Sequence, residues 1–184
     1  MSYYPLESLQ PQPSQLHHQA PPPPPQRDMS REEMDEIFHL CRKDEWHGVL
    51  ERVRQNPPMA LNPMIMDNHI ATTVVHQAIT SKGETAVRAE VISTILRHTP
   101  DAATIKNGYG SLPIHVIAQR NTKMDAQTKE RLIFELVSAF PGALTEEGGV
   151  GKRTPLHIIF TGTYHRSSPR IVLLAANTRS STHT

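Results

Sequence analysis

Thr154-Pro155-Leu156-His157 is the stretch whose reading decides the fold. Each residue has a local reason to be there. Thr154 is a good helix N-cap, because its hydroxyl accepts a hydrogen bond from an unpaired N–H of the first turn. Pro155 suits the first helical position, where a missing N–H costs nothing and the fixed φ is already helical. Leu156 is a packing residue. His157 offers one donor and one acceptor, enough to bond the capping Thr154 and a neighbouring backbone group.

Looser copies precede it: Leu112-Pro113-Ile114-His115, Thr73-Val74-Val75-His76 and, faintest, Glu36-Ile37-Phe38-His39. Their histidines are separated by 37, 39 and 42 residues. Self-similarity at such a step marks a stacked repeat array. A second marker keeps the same register: Pro58-Met59-Ala60, Pro100-Asp101-Ala102 and Pro141-Gly142-Ala143. Nine, eight and five residues before these prolines stand Val49, Leu50 and Val53, then Val91, Ile92 and Ile95, then Leu132, Ile133 and Leu136. All nine are aliphatic, at the spacing of one helical face.

The copies share a grammar of two helices and a turn. Ser30-Arg31-Glu32-Glu33 reads as a capping box that opens a helix to about Arg42, and Asp44 is expected to cap a second helix carrying Trp46, Val49, Leu50 and Val53. The later pairs run from Thr73 to about Thr80 with Thr85–His98, from Pro113 to Ala118 with Asp125–Phe140, and from Pro155 to Phe160 with Pro169–Asn177. The extra length of successive copies falls in the turn between the two helices, at Thr80–Glu84, Gln119–Met124 and Thr161–Ser168, which would build one rim. Gly108, Gly110 and Gly151 suit tight hairpin turns before the helix starts.

A Thr-Pro-Leu-His helix start, a short helix, a longer second helix and a Gly-containing hairpin turn resemble the ankyrin repeat. The likeness spans about residues 30–177, with signature positions His39, His76, Pro113, His115, Thr154, Pro155 and His157. It implies an all-α, ankyrin-like solenoid of stacked helix–turn–helix repeats with hairpin-like loops. The repeats would cover about residues 30–68, 69–108, 109–149 and an incomplete 150–177, with residues 178–184 as a tail. The pattern departs from the family in its elongated step and in keeping the full tetrapeptide only once.

Residues 1–29 differ in composition. Pro and Gln dominate, with an unbroken run from Pro21 to Pro25, so this arm is expected to be disordered with local polyproline II. Within Pro21–Arg27 it formally fits a proline ligand of SH3-type grooves, a weak pattern that any such run before an Arg would match. With 19 Lys and Arg against 18 Asp and Glu, the net charge of +1 supplies no field for nucleic acid or an anionic membrane. A single cysteine, Cys41, precludes an intrachain disulfide and suits a reducing compartment. With no apolar leader or spanning run, the expected address is intracellular and cytoplasmic, with the nucleus also open.

Motifs for chemistry fail on their own terms. Gly148-Gly149-Val150-Gly151-Lys152-Arg153 imitates a phosphate loop, but Glu146 stands where its first glycine belongs and Arg153 where Ser or Thr belongs. The 11 histidines show no His-x₃-His pair, and the repeat histidines should form a ladder too widely spaced to share an ion. No catalytic, cofactor or metal residues are therefore assigned. The expected function is a non-enzymatic protein–protein interaction module or scaffold, with Asn107, Tyr109, Lys152 and Arg153 on the hairpin tips as partner-binding residues for an unidentified protein. The alternative is a regulatory or targeting segment of a larger, truncated protein whose activity lies beyond residue 184. It rests on Ile171–Ala176, which reads as an apolar helix with nothing after it to cover its outer face.

Overall fold

The structure is a computed structural model, and it describes residues 31–65, 70–119 and 122–161. The proline arm, the Ser30 cap, the Pro169–Asn177 helix, the tail and most of the Thr161–Ser168 turn lie outside the described residues. What is described is mostly helical. Seven α-helices follow one another: α1 Arg31–Arg42, α2 Trp46–Gln55, α3 Val74–Thr80, α4 Thr85–His98, α5 Pro113–Ala118, α6 Ala126–Ala139 and α7 Pro155–Thr161. Strands β1 Met64–Ile65 and β2 Ala71–Thr72 pair antiparallel, Met64 opposite Thr72.

The helix starts follow the residues that predicted them. Asp125 accepts from the Thr128 N–H at 2.9 Å and Thr154 from the His157 N–H at 3.2 Å, while Pro113 and Pro155 occupy first helical positions. Each second helix ends at a one-turn 3₁₀ segment, Pro57–Leu61, Pro100–Thr104 and Pro141–Leu144.

The helices form two rows. Second helices pack α2 on α4 and α4 on α6; first helices pack α3 on α5 and α5 on α7; each pair closes on itself as α1 on α2, α3 on α4 and α5 on α6. The core lies between the rows. The nine aliphatic residues of the second-helix column are all buried, joined by Val74, Val75, Ile79, Ile114 and Ile117 from the first helices. Each such side chain contributes about 1.5–3 kcal/mol by leaving water, so this core, packed both within and between helix pairs, is a main source of stability.

Four details differ from the sequence reading. Asp44 does not cap α2: its backbone is left-handed at φ 58°, and Glu45 takes the cap position without a side-chain bond. The Asp44 carboxylate instead accepts from the Trp46 indole N–H at 3.2 Å and from the Ser81 hydroxyl, tying the first repeat to the second. His39 is not a helix-start residue, because α1 is long enough to carry it into the last turn, where it is exposed. The ladder therefore has three histidines. The proline that opens the first 3₁₀ segment is Pro57, not Pro58: α2 stops one residue earlier than the Pro58 register requires, although its buried face keeps that register. The added length of the third pair does fall in its turn, since α4 and α6 both have 14 residues.

Cys41 is 1% exposed, and burial pushes its thiol up to about 12, with the nearby Asp44 carboxylate adding to the rise. The native protein is expected to resist iodoacetamide at pH 8 and to react fully once unfolded in urea, as intact-mass spectrometry would show.

Candidate interaction surface

Three short hairpins project between the helix pairs. The first is the β1–β2 ladder. The second, residues 107–111, closes through Asn107 N–H to the Ser111 carbonyl at 2.9 Å and Gly110 N–H to the Asn107 carbonyl at 2.8 Å. The third, residues 148–153, closes through two reciprocal 3.2 Å backbone bonds between Gly148 and Arg153.

These hairpins touch. The Gly108 N–H donates to the Ala71 carbonyl at 2.7 Å, so the second hairpin hydrogen-bonds to the first. At Gly148 a Cβ would lie 2.8 Å from the His115 ring and 2.9 Å from the Gly110 carbonyl, which makes glycine the residue that lets the third hairpin close on the second.

Histidines hold the hairpins to the helices. His76 Nε2 lies 3.0 Å from the Ser111 carbonyl of the next hairpin, and its Nδ1 lies 2.9 Å from Thr73 Oγ1. His115 Nε2 lies 2.9 Å from the Glu146 carbonyl, and its Nδ1 accepts from the Leu112 N–H at 3.2 Å. A carbonyl only accepts, so both rings carry a proton on Nε2, and at His115 the Leu112 N–H, which only donates, keeps Nδ1 unprotonated and the ring neutral. Burial lowers the pKa of His76 to about 4 and lowers that of His115, outweighing the carbonyl bonds that raise them. His157 repeats the first half of the joint, 2.9 Å from Thr154 Oγ1, but is exposed.

The sequence-nominated residues fall in different places. Tyr109 is exposed at the second tip and Lys152 at the third, where it adopts φ 44°. Arg153 is exposed at the base of the third hairpin. Asn107 is half-buried, and its side-chain oxygen accepts from the Tyr109 and Ser111 N–H groups at 3.0 Å each. It shapes the turn rather than facing outward. Two outward residues were not nominated: Ile65, 64% exposed on the first hairpin, and Val150, 91% exposed at the third tip. Each described hairpin thus carries one large exposed apolar residue: Ile65, Tyr109 and Val150. Behind the second tip a cleft of about 150 Å³ runs between Tyr109, Ala71 and the helical residues Gln77, Thr80 and Val116.

Sequence reading also missed a buried cation. Arg88 is fully buried in α4, with Nε donating to the Gly83 carbonyl at 2.8 Å, Nη1 to Ala78 at 2.9 Å, and Nη2 to Lys123 at 2.8 Å and the Thr85 hydroxyl at 3.1 Å. Lys129 holds the equivalent place in α6, where its ammonium donates to the Gln119 carbonyl. Trp46 holds it in α2, its indole N–H reaching Ser81 Oγ at 2.9 Å. All three stand twelve residues before the column proline. The available signal was a charge inside the i, i+3, i+4, i+7 apolar face formed with Val91, Ile92 and Ile95.

Among the described residues no three His, Cys, Asp or Glu side chains converge to hold a metal, and no helix is long and apolar enough to cross a membrane. Compared with known proteins, the chain matches no family model, no curated protein and no solved structure.

Proposed function

We propose that this chain is a non-enzymatic protein–protein interaction module built on ankyrin-like repeats, with its hairpin row as the partner-binding edge. The single observation that carries the reading is the row of exposed apolar residues on the hairpins, Ile65 on the first strand and Tyr109 and Val150 at the second and third tips, with His76 and His115 tying the second and third hairpins to the helices. Exposed apolar side chains on a pre-organised backbone are favourable binding anchors, because little conformational entropy is lost when they are covered. Lys152 and Arg153 flank the third tip, so the complementary partner carries apolar residues beside acidic ones.

The test uses the whole chain as bait. Tyr109→Ala, Val150→Ala and Lys152→Glu lie on exposed positions and are expected to leave the melting temperature unchanged. Combined, they are expected to reduce partner recovery in affinity capture, quantified by mass spectrometry, by at least about tenfold. Recovery of every partner at the parent level would remove the hairpin edge from the proposal.

A further inference from the structure

We infer a second docking surface: the groove between α4 and α6 seats a three-turn amphipathic helix of a partner protein, with an acidic residue in its first turn and a basic residue in its last. This surface is independent of the hairpin edge. It is formed by the second helices, and its lining includes no hairpin residue.

The groove has a volume of about 900 Å³. From α4 it is lined at Ser93, Leu96 and Arg97, and from α6 at positions 127, 130, 131, 134, 135 and 138, the i, i+3, i+4, i+7 pattern of two helical faces side by side. The stretch from 127 to 138 is about 16 Å long at 1.5 Å per residue, the length of three turns of a third helix. Leu96, Phe134 and Ala139 make the floor apolar. Ridges of an incoming helix fit the furrow between two packed helices.

Charge decides which helix. Arg131 and Glu135 are already engaged with each other at 2.6 Å and with Ser93 at 2.9 and 2.6 Å. Two groups remain. Glu130 is half-buried in the groove wall and its Oε1 has no hydrogen-bond partner among the described residues, so its carboxylate charge is left uncompensated for a cation brought alongside it. Arg97 is exposed toward the opposite end. In the repeat register Arg97 is level with Ser138, eight residues and about 12 Å along the groove from Glu130. A partner helix running antiparallel to α4 and α6 brings its C-terminal turn to Glu130 and its N-terminal turn to Arg97. Lys near a helix C-terminus and Glu near its N-terminus are also what the helix dipole favours. The opposite orientation would place each charge against its own helix dipole.

The probe is a capped 14-residue peptide with Glu in the first turn, Leu at every third or fourth position and Lys in the last turn. It is titrated into the full chain and read by fluorescence anisotropy and by NMR shifts. The expected result is saturable binding that perturbs Leu96, Phe134 and Ala139, is weakened about tenfold by Glu130→Gln, and is restored for Glu130→Lys when the peptide Lys is changed to Glu. Unchanged melting temperatures separate these effects from misfolding. Absent binding, perturbation confined to the hairpin tips, or equal affinity for the charge-reversed peptide overturns the inference. So does a groove already filled by a second copy, seen as a concentration-dependent dimer, or by the proline arm, seen as binding that appears only after residues 1–29 are removed.

Discussion

Arg88→Met is expected to lower the stability of the folded chain by about 3 kcal/mol, with Arg88→Lys losing about half as much. The guanidinium joins three separate pieces of backbone: the end of α3 at Ala78, the turn at Gly83 and the next turn at Lys123. Two effects oppose each other on substitution. Methionine relieves the cost of holding a charge out of water, a cost visible in the lowered pKa of Arg88 and only partly offset by Asp44. It also leaves acceptors without donors. Lys123 is exposed, so water can replace the lost bond there. Ala78 is fully buried and Gly83 is half-buried, and each orphaned carbonyl costs about 1–3 kcal/mol. The orphaned carbonyls dominate, because they belong to the backbone and remain after substitution. Lysine keeps the charge but replaces a planar fork by a point donor that cannot reach all three carbonyls. Urea unfolding at pH 7, followed by far-UV circular dichroism, measures the difference. An Arg88→Met protein within about 0.5 kcal/mol of its parent would show that the three carbonyls do not depend on the guanidinium.

How much was legible in the sequence depends on the range of the interaction. Helix boundaries are local, set by Thr, Asp, Pro and Gly within four residues of each end, and α4, α5 and α6 begin and end where those residues place them. The buried aliphatic column is periodic and was legible for the same reason. His76 and His115 were recognisable as joints because the repeat returns them to the same place. His39 was a chance member of the series: a histidine three residues into a short helix and one in the last turn of a long helix look alike until the helix length is known. Arg88 was not legible as a buried group, because its acceptors come from positions 78, 83 and 123 and only the stacking of two repeats brings them together. Asp44 was misassigned for a related reason. Its local chemistry suits a cap, and only the fold shows that Ser81, 37 residues away, takes the carboxylate instead. On the surface, Tyr109 was named because glycines flank it. Ile65 and Val150 went unnamed because a single exposed aliphatic residue carries no signal in one dimension.

The histidine joints make the stability of the fold depend on pH in a stated direction. In the unfolded chain a histidine takes up its proton near pH 6.5. In the folded chain, burial holds His76 neutral down to about pH 4, and His115 is shifted in the same direction. Below pH 6.5 the unfolded state therefore binds protons that the folded state excludes, and stability falls as pH falls. The contribution is complete above pH 6.5 and lost progressively toward pH 4. His115 also has a stereochemical reason to resist. A second proton on Nδ1 would point at the Leu112 N–H, a donor that cannot turn into an acceptor. At His76 the Thr73 hydroxyl can rotate, so burial rather than donor geometry sets the limit there. Between pH 7.5 and 5.5, where carboxylates stay ionised, His76 alone is expected to remove about 1.4 kcal/mol, with His115 adding to the loss. His76→Gln should be less stable than the parent at pH 7.5, because the shorter amide makes the two-sided joint poorly, yet it should lose about 1.4 kcal/mol less across that interval. Paired urea titrations at the two pH values give the slopes directly. Equal slopes for parent and variant would mean that His76 is as easily protonated folded as unfolded, and that the joint between the first and second hairpins rests on backbone contacts such as the Gly108 N–H to the Ala71 carbonyl rather than on the imidazole bridge from His76 to Ser111.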